Sequence, residues 1–250
     1  MTMKCSSFLT VGALLLTALH LQAQPSPELT MEIYNSNIQV ITSGIINKSM
    51  LDKAMERNGN AIGTRSKASA NTRSTSTTGS TAYTSTPSLR QQTVQSYVSR
   101  LKSSDPGGAQ VVNTAFGPGK YDYGQVYRTI LAGTGLRDND AADALAAYML
   151  MGYAIVHNIQ DGRAITVPMA RSVRAQVAPL LAVNTLARNR AAQVGEEMKL
   201  QTVIVQGGWQ SALKQGKLPA YQQGIGNLFK TQYGLDLRAL KLTSQGFAQR

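Results

Sequence analysis

The stretch from Asp138 to His157 constrains the fold of this chain more than any other. It opens with three acids, Asp138, Asp140 and Asp143, and continues as AADALAAYMLMGYAIV, with Ala, Leu and Met on nearly every helical face. Carboxylates at a helix start accept from orphan backbone N–H groups and favour the positive end of the dipole, so the acids mark where this helix begins. A helix that is apolar all round must be enclosed by others. The expectation is a mostly α fold, a compact multi-helix domain around a buried central helix at about 140–157.

The flanking sequence supplies the enclosing helices. Leu89, Val94, Tyr97, Val98 and Leu101 recur at helical spacing and predict a helix over about 88–103 with Ser88 as cap. Asp105-Pro106 reads as cap and first-turn proline of a second helix through Val111, Val112 and Phe116, stopped by Gly117-Pro118-Gly119. Tyr123 to Leu131 reads as a third. After the central element, Val167-Pro168 opens a helical segment with Val173, Val177, Leu180 and Leu181 on one side and Arg171, Arg174, Arg188 and Arg190 exposed, and Pro179 should kink or divide it. Glu196 to Val205 continues helically to Gly207-Gly208, and Trp209 to Leu213 adds a turn or two. Pro219 to Tyr233 forms a last helix, weakened by Gly224 and Gly226. Helical and alternating patterns are mixed from Leu235 to Phe247, and the element type there stays open.

The N-terminal third reads differently. Lys4 precedes an apolar run from Phe8 to Leu21, and Leu21-Gln22-Ala23 ends in a small residue, the pattern of a secretory signal at 1–23 cut after Ala23. The run is shorter than the roughly 20 apolar residues of a membrane span, and Cys5 precedes it, where a lipoprotein cysteine would follow. Residues 24–63 form a weakly structured segment with a β-favouring run at 38–42 and a helical piece at 50–55. From 64 to 87 Ser and Thr dominate and large aliphatics vanish, which predicts a disordered linker because too little apolar area is available to offset ordering entropy. The helical domain then occupies 88–250. The expected location is periplasmic or secreted, with no transmembrane segment after cleavage.

Composition narrows the chemistry. The chain holds one Cys, one Trp and two His, so Cys-rich and multi-His metal sites are excluded, and no cofactor motif is complete. The glycine pairs at Gly117 and Gly119, Gly133 and Gly135, and Gly224 and Gly226 read as turns or helix stops. Basic residues outnumber acids 25 to 13, for a net charge of +12. Seven of the positive residues (Arg57, Arg65, Lys67, Arg73, Arg90, Arg100 and Lys102) lie in an acid-free stretch from Arg57 to Ser104. Such an arm would be drawn to anionic envelope polymers or lipid headgroups, and the simpler alternative is that the positive charge keeps an exported protein soluble. With only Tyr83 and Tyr97 interleaved, it makes a poor stacking platform for nucleic acid.

Four residues remain for catalysis. His157, with Asp161 four positions on, could form an oriented acid–base pair, although its place at a helix end suits contact with the last carbonyls. Asp143, Glu196 and Glu197 are the available carboxylates, but Glu196 and Glu197 are adjacent, point about 100° apart, and read as a solvated helix face. Asp138, Asp140 and Asp143 resemble a calcium-binding cluster that lacks the turning glycine and closing Glu, and helix capping accounts for them more simply.

The order of Pro87-Ser88-Leu89-Arg90, Asp105-Pro106-Gly107-Gly108, Gly135-Leu136-Arg137-Asp138-Asn139-Asp140-Ala141-Ala142-Asp143-Ala144 and Leu242-Thr243-Ser244-Gln245-Gly246-Phe247 resembles a family of exported bacterial proteins known only as a domain of unknown function. The resemblance covers about 87–250 and implies a signal peptide, a variable low-complexity lead and a mostly helical domain. It carries no activity and no catalytic residues. The expectation for function is a non-catalytic binding or structural protein of the cell envelope or extracellular space. The alternative is a hydrolase acting on an envelope polymer through Asp143, Glu196 or Glu197 with His157.

Overall fold

The computed structural model describes residues 80–183 and 190–250. The signal-like run, the segment 24–63, most of the Ser/Thr-rich stretch, and Arg188 lie outside the described residues. Among the described residues seven α-helices carry the fold: α1 (Pro87–Ser104), α2 (Pro106–Phe116), α3 (Tyr123–Leu131), α4 (Ala141–Val156), α5 (Val167–Val183), α6 (Ala191–Lys214) and α7 (Leu218–Tyr233). Two antiparallel strands come last, β1 (Leu240–Thr243) and β2 (Gly246–Gln249), paired from Leu240 with Gln249 to Thr243 with Gly246. The architecture is the expected mostly α domain.

The central helix is α4. Fourteen of its sixteen residues are buried, and it packs most extensively on α6 and then on α5. Asp140 caps it, its Oδ1 accepting from the amides of Ala142 at 2.9 Å and Asp143 at 3.1 Å. Two apolar clusters flank the α4–α6 pair. The larger joins α4, α5, both halves of α6, α7 and the hairpin, with Tyr148 stacked on Phe229 at 5.0 Å between ring centres. The smaller joins α1, α2 and α3 to Leu200, Val203 and Ile204 of α6. Gly152 lets α7 come close, because a Cβ there would collide with the Phe229 ring.

Several boundaries differ from the sequence reading. The cap of α1 is Thr86, whose hydroxyl accepts from the Leu89 amide at 3.1 Å, so the helix starts at Pro87 and Ser88 lies inside it. α5 runs through Pro179 to Val183. The carbonyl that a proline at this position leaves unserved is that of Ala175, an exposed residue that water can reach. Gly207-Gly208 does not stop α6, which continues to Lys214. Gly208 is instead where the Tyr221 hydroxyl end presses on the helix, and Trp209 and Ala212 beyond it are buried.

The undecided tail forms the hairpin, and α5 holds it. Gln176 donates from Nε2 to the Phe247 carbonyl at 2.8 Å and accepts the Phe247 amide at Oε1 at 2.8 Å, taking the place of a third strand. The predicted linker also ends early, because residues 80–86 are docked on the domain. Thr81 is buried, Ala82 bridges to Asp140, and the Tyr83 amide donates to the Asn139 carbonyl at 2.9 Å.

Candidate functional site

Charged side chains concentrate at one seam, where the N-terminus of α4, the first half of α6, α3 and residues 81–85 meet. At its centre Lys199 and Glu196, one turn apart on α6, form an ion pair at 2.7 Å. Lys199 is 1% exposed and Glu196 0%. Burying two such charges is costly unless every donor and acceptor is satisfied. Here the requirement is met. An ammonium has three donors, and Lys199 spends them on Glu196 Oε1 at 2.7 Å, the Asp138 carbonyl at 2.9 Å and Ser85 Oγ at 3.1 Å. The other Glu196 oxygen accepts from the Tyr123 hydroxyl at 2.7 Å. The rings of Tyr127 and Tyr83 lie 5.5 and 5.8 Å from the ammonium, within cation–π range.

The tyrosines respond to this setting. Burial pushes the Tyr83 and Tyr123 hydroxyls far above their usual pKa, and the Glu196 carboxylate raises both further. Tyr127 is raised by burial and then by the nearby carboxylates of Asp143, Asp138, Glu196 and Asp140. All three phenols stay neutral wherever the domain is folded under ordinary conditions.

A second set of ion pairs covers the α4 end of the seam. Asp143 accepts from Arg137 Nε at 2.7 Å, from the Arg137 amide at 3.2 Å and from Arg174 Nε at 2.5 Å. Asp140 receives Arg137 Nη2 at 2.7 Å, Arg174 Nη2 at 3.4 Å and the Thr81 hydroxyl at 2.9 Å, besides the helix amides it caps. Burial alone would raise the Asp140 carboxyl. The Asp143 amide, the Thr81 hydroxyl and the two guanidinium groups outweigh it and hold the pKa below the usual carboxylate value. Asp138 faces Arg128 at 3.6 Å. Among the described residues no three His, Cys, Asp or Glu side chains converge as a metal ion would need. The Asp138, Asp140 and Asp143 cluster is a set of arginine acceptors, and only Asp140 caps through its side chain.

The carboxylates and imidazole singled out in the sequence do not assemble into one site. Asp143 and Glu196 both border the seam. Glu197 turns the other way, to Arg100 at 2.8 Å on α1. Both glutamates are buried, at 0% and 6% exposure, which corrects the solvated helix face. His157 stands at the far end of α4, ~21 Å from Asp143 at 1.5 Å per residue. Its Nε2 lies 2.9 Å from the Leu237 carbonyl and its Nδ1 3.1 Å from Arg250 Nη2. A carbonyl and a guanidinium on opposite nitrogens select the tautomer with the proton on Nε2. The His157 amide donates to the Tyr153 carbonyl at the end of its own helix, while its imidazole contacts a carbonyl of the segment leading into the hairpin. Asp161 pairs with Arg163 at 3.0 Å instead of orienting it.

No family model, curated protein or solved structure matches the chain. The arrangement is interpretable from its own chemistry alone. It neutralises carboxylates inside the domain and leaves none of the four catalytic candidates without a partner. Sequence reasoning passed over Tyr83, Ser85, Tyr123, Tyr127, Arg137 and Lys199. The visible signal was the Glu196–Lys199 spacing of three, an ordinary helix-surface pair until two other elements cover it.

Proposed function

We propose that this protein is an exported, non-catalytic binding or structural component of the cell envelope or extracellular space, related to the exported family that residues 87–250 resemble. Its partners are anionic envelope polymers or lipid headgroups. One observation carries the reading. Eight of the nine acids between residues 80 and 250, all but Asp105, lie within 4.0 Å of an Arg or Lys. Lys102, Lys120, Arg171, Arg190, Lys214, Lys217 and Lys241 are exposed and belong to none of the ion pairs of the described residues. The domain thus pairs its negative charge with its own cations, buries four of the acids, Asp140, Asp143, Glu196 and Glu197, and leaves its surplus positive charge exposed, to which Arg57, Arg65, Lys67 and Arg73 add.

A field of that sign attracts polyanions and weakens with salt. Arg90 and Arg100, part of the same acid-free stretch, are committed to Asp122 and Glu197, so the stretch's contribution rests on Lys102 and on the residues before the domain. The same contacts weigh against the polymer hydrolase, because Asp143, Glu196 and Glu197 each hold a cation. The test is pull-down of the mature protein from its own envelope fraction at low and high salt. Retention at low salt that is lost at high salt, and reduced by deleting residues 24–79, supports the reading. Retention indifferent to both overturns it. The deletion stops at 79 because residues 80–86 belong to the fold.

A further inference from the structure

Residues 81–85 lie across the seam as an extended segment with alternate side chains inward. Thr81 reaches Asp140, Tyr83 reaches Gly195 and Lys199, and Ser85 accepts from Lys199 at 3.1 Å and Arg90 Nη1 at 3.0 Å, while Ala82 and Thr84 face solvent. The surface beneath is shaped for them. Gly195 forms a notch, since a Cβ there would collide with the Tyr83 ring. The Asn139 carbonyl and the Ala141 amide supply the two ladder bonds, to the Tyr83 amide at 2.9 Å and the Thr81 carbonyl at 2.9 Å. The contact is one isolated antiparallel bridge, Ala82 with Asp140, and it repeats on a small scale the logic of strand addition, with backbone bonds giving affinity and alternate pockets giving specificity.

The segment is separable from the helix after it. α1 begins with its own cap, Thr86, whose hydroxyl and carbonyl take the Leu89 and Arg90 amides at 3.1 and 3.0 Å. Stripping 81–85 therefore leaves the helix ladder intact. Two backbone bonds, three side-chain bonds through Thr81 and Ser85 and one aromatic ring are a small anchorage beside the two apolar clusters of the domain.

We propose that the notch at Gly195 and the 139–141 turn form a strand-docking groove, occupied in the resting chain by its own residues 81–85. The groove accepts in exchange an extended polypeptide carrying a tyrosine flanked two residues away on each side by hydroxyl side chains. This inference goes beyond the envelope-binding reading and rests on domain contacts alone, so either can fail without the other.

Amide hydrogen exchange on the full mature chain tests it, with the Ala141 amide as reporter. In the unaltered protein the Tyr83 and Ala141 amides should exchange at least ~100-fold faster than those of Leu145 and Val203, through opening of the segment alone. Tyr83→Ala should speed Ala141 exchange a further ~10-fold and leave the core amides unchanged. Adding excess of the synthetic peptide Ser-Thr-Ala-Tyr-Thr-Ser-Thr should restore Ala141 protection, and a version with the tyrosine moved one position should not. Ala141 exchanging together with the core overturns the proposal, as does a peptide that fails to protect it or protects regardless of tyrosine position. Thr81→Ala provides the same readout if Tyr83→Ala does not fold.

Discussion

The Lys199 ammonium and the Glu196 carboxylate meet at 2.7 Å in the interior of the domain, with every donor of the lysine and both oxygens of the glutamate engaged. Completeness is what makes the pair tolerable. Removing either charge alone leaves the other uncompensated, at a cost of about 3–5 kcal/mol. Glu196→Gln and Lys199→Met should each show that loss in urea unfolding. The double variant should be less destabilised than the two singles added, and strict additivity would show that the charges act independently.

Asp140 gives the domain an acid limb. Its pKa is held low in the fold by the Asp143 amide, Thr81 and two arginines against the opposing effect of burial. Below the unfolded value, about 3.9, the unfolded chain binds this proton and the native state resists it. The stabilisation is complete above that pH and is lost as pH falls through the lower native value. Asp140→Asn should flatten the acid limb of a stability–pH curve. A curve unchanged from the parent would contradict the assignment.

The tyrosines give an alkaline limb of opposite sign. Tyr83, Tyr97, Tyr123, Tyr127 and Tyr148 are all raised by burial. Their contribution is present in full below the unfolded tyrosine pKa of about 10, and it declines as pH rises beyond it because only the unfolded chain ionises. Phenolate absorbance should therefore appear in two steps, exposed tyrosines first and these five together with unfolding. A single smooth titration centred near 10 would refute their burial.

The hairpin hangs on Gln176. Gln176→Ala orphans the amide and carbonyl of Phe247, and one unsatisfied buried group costs about 1–3 kcal/mol. Thermal unfolding should show a loss in that range, with exchange at the Phe247 amide accelerated before any change in α4.

The legible parts of this fold are those whose signal is local. The Ala141–Val156 run shows its burial in composition, and Asp140 shows its cap in position. Glu196 and Glu197 do not, because a Glu with a Lys or Arg nearby reads the same on a wet face as in a core. Only Tyr123, Tyr83 and Arg100, which arrive from elsewhere in the chain, decide the matter. Residues 80–86 were hidden in Ser/Thr composition, where one tyrosine between alternate hydroxyls was the faint cue. The four-residue strands, joined through Ser244 and Gln245, are too short for alternation to stand out. Gly208 reads as a breaker until the ring that presses on it is in place.

The central claim is that the acids of this domain are consumed internally and that its exposed cations face an anionic partner. Sedimentation of the mature protein with vesicles tests it most directly, comparing anionic with zwitterionic headgroups across a salt series. The account predicts binding to the anionic vesicles alone, falling steadily with salt and weakened when Lys214, Lys217 and Lys241 are changed to Gln. Equal binding to both vesicle types, or to neither at low salt, would contradict it.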